Sequence, residues 1–96
     1  MQVIISELAA EDIRGAYAFY ARQDAAVAER FVDTVMEKIF LLESIAGIHM
    51  KIHDSFRMLA FPFPYAIYYI IESEVVTVRA VLHCRRSPHV HATRNK

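Results

Sequence analysis

The segment FPFPYAIYYIIESEVVTVRAVLHCRRSP, residues 61–88, decides the fold. Residues 65–71 and 75–83 alternate with a period of two and are rich in β-branched and aromatic side chains, which is typical of β-strands. The glutamate and serine residues at 72–74 separate the two runs and predict a tight turn. We therefore expect a β-hairpin that ends in a basic corner at Arg85 and Arg86.

Strict alternation predicts which side chains of the hairpin face the core. Both faces of the run at 65–71 are largely apolar, which is typical of a central strand. In the run at 75–83 one face is apolar and the other is mixed. The apolar face is predicted to hold Val76, Val78, Ala80 and Leu82, and the mixed face Thr77, Arg79, Val81 and His83.

Two helices are predicted before this hairpin, after a short N-terminal strand. The strand is expected over residues 2–6, where β-branched residues are frequent. Ser6 is placed to cap a first helix that runs to about Arg22, and Asp24 to cap a second that runs to about Ile45. So short a break predicts an antiparallel helical hairpin. The second helix carries an apolar stripe of Val27 or Ala28, Phe31, Val35, Ile39, Leu42 and Ile45.

The first helix contains one residue that does not favour helix formation. Gly15 costs the helix about 1 kcal/mol relative to alanine. Such a residue either allows a close approach between helices or has no structural role, and the sequence leaves both explanations open. Earlier in this helix, Glu7, Glu11 and Asp12 lie near the positive N-terminal end, where acidic side chains are stabilising.

The residues between the second helix and the hairpin predict one more strand. Residues 55–61 continue the two-residue period. Pro62 and Pro64 mark the turn that follows, because proline cannot donate a hydrogen bond within a sheet ladder. The order β-α-α-β-β-β predicts an α+β fold, with a helical hairpin packed on a small, mainly antiparallel sheet. A length of 96 residues leaves room for one domain, 1–96, whose polar residues 89–96 we expect to be frayed.

Charge is balanced in total but divided along the chain. Eleven basic and eleven acidic side chains give a formal net charge of zero. Residues 1–48 hold eight acidic and four basic side chains, whereas residues 49–96 hold three acidic and seven basic ones together with all five histidines. The basic half can meet an acidic protein or nucleic acid, but the zero total argues against avid non-specific binding to nucleic acid. An apolar fraction of 55% predicts that some apolar side chains face another chain.

Few residues are candidates for metal or covalent chemistry. Cys84 is the only cysteine and permits no internal disulfide, which fits a reducing cytoplasm. His83 beside Cys84, and His89 with His91, form only weak metal-binding patterns. The first residues lack the basic region of a signal peptide, and no stretch approaches the ~20 apolar residues of a membrane span. We expect a cytoplasmic protein without metal, cofactor or membrane contact.

Several stretches, in this order, resemble the RelE/ParE superfamily of small toxins. SELAAEDI and YAFYARQDAAVAERFVDTVMEKIFLLE resemble the start of its first helix and its helical hairpin. FRMLAFPFPYAIYYIIE and VVTVRAVLHCRRSP resemble its sheet, with an arginine before the turn, a Pro-Tyr strand, and a final strand that ends in histidine, a basic pair and proline. The resemblance covers residues 3–88 and, in combination, is specific at the level of the superfamily.

The two branches of this superfamily imply different activities. RelE-like members are ribonucleases that cut mRNA in the ribosome, with a basic sheet face and a C-terminal tyrosine or histidine. Attack of a ribose 2′-hydroxyl on phosphate requires a base, an acid and cations that stabilise the developing charge. ParE-like members lack most of these groups and act by binding DNA gyrase. The branch therefore decides whether the protein is an enzyme or a binding-type inhibitor.

The sequence departs from the nuclease pattern at several positions. Ala66 follows Tyr65 where nucleases often place an arginine, and Arg57 has no second cation beside it on its strand. Arg85 matches a nuclease arginine, and His91 lies where a terminal acid would stand. The resemblance therefore favours the ParE-like branch. Under the RelE-like alternative, the catalytic residues would be Arg85, Arg57 and His91.

The ParE-like resemblance implies the toxin of a bacterial type II toxin-antitoxin module, of the kind that acts in plasmid stabilisation. Such a toxin inhibits DNA gyrase by binding and is neutralised by a cognate antitoxin. It would contact DNA only indirectly, through the antitoxin complex, and a homodimer is allowed. A degenerate member that acts only in an autoregulatory complex is a further alternative. The residues expected to bind target or partner are Arg57, His83, Arg85, Arg86 and Tyr65, although a solvated turn or aromatic packing would also explain them.

Overall fold

Two helices pack on one face of a five-stranded sheet in the computed structural model, which describes residues 1–85. This architecture confirms the α+β class and the order β-α-α-β-β-β, with one additional two-residue strand before the second predicted strand. The residues at 89–96 lie outside the described part, so the single domain and the frayed tail stay predictions. The elements are β1 (Gln2–Ile5), α1 (Glu7–Ala21), α2 (Ala25–Ile45), β2 (Lys51–Ile52), β3 (Ser55–Leu59), β4 (Tyr65–Glu72) and β5 (Val75–His83).

Both helices begin at the residues that the sequence predicts as caps. The Ser6 hydroxyl accepts a hydrogen bond from the Ala9 N–H at 3.1 Å. The Asp24 carboxylate accepts one from the Ala26 N–H at 2.8 Å, which satisfies a donor that the first turn of α2 leaves free. The predicted stripe of α2 is buried at its centre, which confirms it. Its buried members are Ala28, Phe31, Val35, Ile39 and Leu42.

The sheet has the strand order β1-β5-β4-β3-β2. β1 is parallel to β5 and the other neighbours are antiparallel, so the sheet is mainly antiparallel as predicted. β4 and β5 are joined by a two-residue turn of Ser73 and Glu74, both with positive φ, which is the backbone of a tight β-hairpin. β3 ends at Leu59, two residues earlier than the sequence predicts, and a cis peptide bond joins Phe61 to Pro62.

The predicted faces of β5 are wrong beyond Val78, because the hairpin contains a β-bulge. Tyr68 pairs with Ala80 and Tyr69 pairs with Val78, so Arg79 has no partner on β4. One extra residue on one strand reverses the side to which all later side chains point. The helix side of β5 therefore buries Val76, Val78 and Val81, and the opposite side Ala80 and Leu82.

Two buried clusters result, one on each face of the sheet. The main core lies between the helices and the sheet and includes Phe31, Ile39 and Tyr69. The smaller cluster lies on the opposite face and consists of Ala66, Tyr68, Ala80 and Leu82, none of them more than 2% exposed. β4 thus buries side chains on both faces, which confirms its prediction as a central strand.

The end of α2 is fastened to the sheet through a buried tyrosine. The Tyr69 hydroxyl accepts the N–H of Gly47 at 3.0 Å and is within hydrogen-bond distance of His49 Nδ1. Partial burial lowers the pKa of His49 below its ordinary value of 6.5. Nδ1 of the neutral imidazole can accept a hydrogen bond from the tyrosine hydroxyl, whereas Nδ1 of an imidazolium cannot.

The two glycines are expected to respond in opposite ways to alanine. A Cβ at Gly15 would meet nothing within 4 Å, so the close-approach explanation is wrong and Gly15→Ala should raise the free energy of unfolding by about 1 kcal/mol. Gly47 has a φ of +101°, so Gly47→Ala should lower it by about 1–2 kcal/mol. Urea denaturation of both variants tests this, and equal effects at the two positions would contradict it.

The pKa of His49 predicts a stability that falls on acidification. Because the folded-state pKa is depressed, the unfolded chain binds a proton first as the pH drops below 6.5. The stability that neutral His49 contributes is therefore present above pH 6.5 and is lost as the pH falls through the lower, folded-state value. We expect the advantage of the native chain over His49→Asn, measured as the urea midpoint, to be smaller at pH 5.5 than at pH 7.5. A constant difference would refute it.

Candidate functional site

A groove of about 320 Å³ lies between α1 and the C-terminal half of β5. The bulge at Arg79 is what directs Val81 and His83 of β5 toward it. Two of the predicted binding residues, Tyr65 and His83, therefore share this groove. The lining side chains that matter for binding are Glu11, Asp12, Phe19, Tyr65 and His83, with Gly15 on the wall of α1.

Tyr65 and His83 are cross-strand partners at the end of the hairpin. Their ring centroids are 5.3 Å apart, in an edge-to-face arrangement. His83 Nδ1 accepts the Arg85 N–H at 3.1 Å, so the neutral ring carries its proton on Nε2. The rings of Tyr65 and Phe31 also pack together, with their centroids 5.1 Å apart. Part of the Tyr65 ring therefore serves the packing of the core. The pair forms an aromatic rim at the end of β5, close in sequence to the exposed Arg85.

Asp12 connects α1 directly to the backbone of β5. Its carboxylate accepts the Val81 N–H at 2.9 Å. β1 cannot provide this acceptor, because its last residue, Ile5, pairs with Val78. Sequence reasoning assigned Asp12 and Glu11 only to the positive end of α1 and missed their position beside β5. The signal for this contact would have been the shortness of β1, which leaves five residues of β5, residues 79–83, beyond its reach.

Arg57 lies on the opposite face of the sheet from Tyr65 and His83. Its Nε donates to the Tyr68 hydroxyl at 3.3 Å, and the two residues pair across β3 and β4. The structure therefore brings Tyr65 and His83 together but separates them from Arg57. Arg85 follows at the exposed end of β5, whereas Arg86 and His91 lie outside the described residues.

The position that a nuclease would fill with an arginine is apolar and buried. Ala66 is 0% exposed and packs with Tyr68, Ala80 and Leu82. Arg57 contacts this cluster through the hydrogen bond that its Nε donates to the Tyr68 hydroxyl. Within residues 1–85, no three His, Cys, Asp or Glu side chains are grouped to hold a metal ion. In the same range, neither helix is long and apolar enough to cross a bilayer.

Large apolar side chains are exposed on both helices and on the loops. Phe40 and Leu41 of α2 are 63% and 51% exposed and border a second, shallower groove with Glu37 and Ser44. Because Phe40 and Leu41 border the same groove, they form a candidate contact surface for another protein. The remaining members of the exposed set include Phe19, Ile48, Met50, Leu59 and Phe61.

Comparison with known proteins identifies the family. Residues 3–88 match the family described as "ParE toxin of type II toxin-antitoxin system, parDE". A solved structure described as "Chromosomal ParDE TA system from P. aeruginosa" has the same fold, with a TM-score of 0.79 at 15% identity, over 86% of this chain and 95% of that chain. No curated protein matches the sequence. Because the family match spans most of its length, this chain belongs to the ParE toxin family of type II toxin-antitoxin systems.

Proposed function

We propose that the protein acts by binding DNA gyrase and that a cognate antitoxin neutralises it. The match of residues 3–88 to the ParE family carries this proposal. The solved structure with the same fold is described as part of a ParDE system, which supports an antitoxin partner here too. The site of action would be the bacterial cytoplasm, the role that of plasmid stabilisation, and DNA contact would occur only through the antitoxin complex.

The placement of the candidate residues supports binding rather than RNA cleavage. In-line cleavage needs an acid, a base and cations around one phosphate. Here Arg57 already donates a hydrogen bond to the Tyr68 hydroxyl, and Ala66 is buried where a nuclease would place a cation. Residues 1–85 therefore offer a binding surface more readily than a catalytic one.

Two surfaces are available for two partners. The basic corner that begins at Arg85 is the proposed contact with the target, and the adjacent Tyr65 and His83 are proposed to contact the target or the antitoxin. The exposed apolar side chains Phe40 and Leu41 of α2 offer an area that the antitoxin would cover. Arg57 remains a proposed contact of the sheet's outer face, and a homodimer through any of these surfaces remains a proposal.

A supercoiling assay tests the proposed target. Purified toxin should inhibit gyrase in a concentration-dependent way, because it occupies the enzyme stoichiometrically, and added antitoxin should restore activity. Supercoiling that persists at a large excess of folded toxin would contradict the proposal.

The basic corner should contribute most of the affinity for the target. Combined Arg85→Ala and Arg86→Ala substitutions are expected to raise the concentration for half-inhibition about tenfold or more, because interface arginines are frequent hot spots. Arg30→Ala, which removes an exposed arginine from α2, is the matched control and should change it little. Equal inhibition by the double variant and the native chain would remove the corner from the proposed site.

Induction of the toxin alone in bacteria separates the alternatives. Gyrase poisoning predicts filamentation and DNA damage. Translation arrest with cleaved transcripts in primer extension, abolished by Arg85→Ala, would instead support the RelE-like ribonuclease, with Arg57 and His91 in its site. Normal growth would support a degenerate member that acts only in an autoregulatory complex.

A further inference from the structure

β5 has an unpaired edge beside the groove. β1 pairs with β5 only as far as Val78. In an antiparallel ladder, the backbone groups of alternate residues point away from the partner strand. The backbone N–H of Val81 points away from β4, because it donates to Asp12. The N–H of His83, two residues further along β5, points to the same side. In the described part of the chain, no strand covers this side of Val81 and His83.

Gly15 keeps the groove open at the expense of helix stability. It lies in the interior of α1, where glycine is unfavourable. A Cβ at this position would meet no atom within 4 Å, so a side chain there would project into free space along the groove. Phe19, which is 47% exposed, and Tyr65 supply aromatic surface close by. The space beside Gly15 fits an aliphatic side chain from another molecule.

The groove carries negative charge. Glu11 and Asp12 line it, and none of the described residues that line it is Lys or Arg. The Asp12 carboxylate is engaged with the Val81 N–H, whereas Glu11 is exposed. An occupant that brings a Lys or Arg side chain would therefore be complementary to Glu11.

We infer that this groove receives an extended segment of the antitoxin. The segment adds to β5 as a short strand at His83, places an aliphatic side chain over Gly15, and sets a Lys or Arg beside Glu11. An extended segment fits better than a helix, because the edge offers backbone groups that a helix cannot use. The inference rests on the proposed function, since it requires an antitoxin partner.

Substitutions on α1 test the inference by calorimetric titration with the protein encoded by the reading frame adjacent to this one. Gly15→Trp fills the groove and is expected to weaken binding about 100-fold, because the central contacts of an interface dominate its affinity. Ala18→Trp is the matched control, because it adds the same indole ring at an exposed position of α1 outside the groove, and its affinity should stay within about twofold of the native chain. Circular dichroism checks that both variants are folded.

Charge provides a second, independent variant. Glu11→Gln should weaken binding about threefold at low salt, in keeping with an exposed ion pair, and the effect should shrink as salt is added. Glu43→Gln removes an exposed acidic side chain from α2 and should have no effect. An equal effect of the two substitutions would overturn the placement of the basic side chain.

Amide hydrogen exchange of the native complex needs no variant. Strand addition predicts that the His83 N–H exchanges about tenfold or more slowly in the complex than in the free toxin. The Leu82 N–H, which points toward β4, is the internal control and should change less. An unchanged His83 amide in a saturated complex would overturn the inference.

These measurements separate failure of the inference from failure of the proposed partner. If the native chain does not bind the adjacent protein, the proposed antitoxin and the inference both fail. If the native chain binds and Gly15→Trp binds equally well, only the inference fails. If sedimentation instead detects self-association of the native chain that Gly15→Trp abolishes, the occupant is a second copy of this chain, and the inference is again overturned.

Discussion

The structure depends on one unpaired residue in the hairpin of β4 and β5. Arg79 is opposed by no residue of β4, and from that point the side chains of β5 change faces. Val81 thereby enters the main core under α1, and His83 meets the ring of Tyr65. In a regular ladder both would point to the far side of the sheet, and Leu82 would take their place under α1. The groove, its aromatic rim and the second buried cluster all follow from this insertion.

The backbone groups on the outer edge of β5 are hydrogen-bonded in turn by a strand, by a helix-capping residue and by a carboxylate on a helix. β1 pairs as far as Val78, whose carbonyl also accepts the Ser6 N–H at 2.9 Å. The same serine caps α1. About two turns further along this helix, Asp12 accepts the Val81 N–H. Beyond that point the described chain supplies no further strand. The groove begins where this succession ends, so the candidate site results directly from the short length of β1.

Local signals could predict the helices, whereas contacts distant in sequence could not be predicted. Ser6 and Asp24 cap their helices through hydrogen bonds to residues two or three positions away, so the pattern in the sequence is sufficient. The bulge depends on how two strands pair, and β5 alternates in the same way with or without it. Asp12 reaches Val81 across 69 residues, which no periodicity encodes. Two of the side chains that line the groove, Tyr65 and His83, were therefore predicted as binding residues, but their assembly with α1 into a groove was not.

The parallel pairing of β1 with β5 has a consequence for synthesis of the protein. β1 finds its partner about 73 residues later in the chain, since Ser6 meets Arg79 only after β5 has emerged from the ribosome. Until then α1 and α2 have no complete sheet on which to bury their apolar stripes, and long-range pairing of this kind is slow and exposes apolar surface. The groove does not exist on the nascent chain either. A chain that is interrupted before β5 therefore lacks both the completed core and the groove.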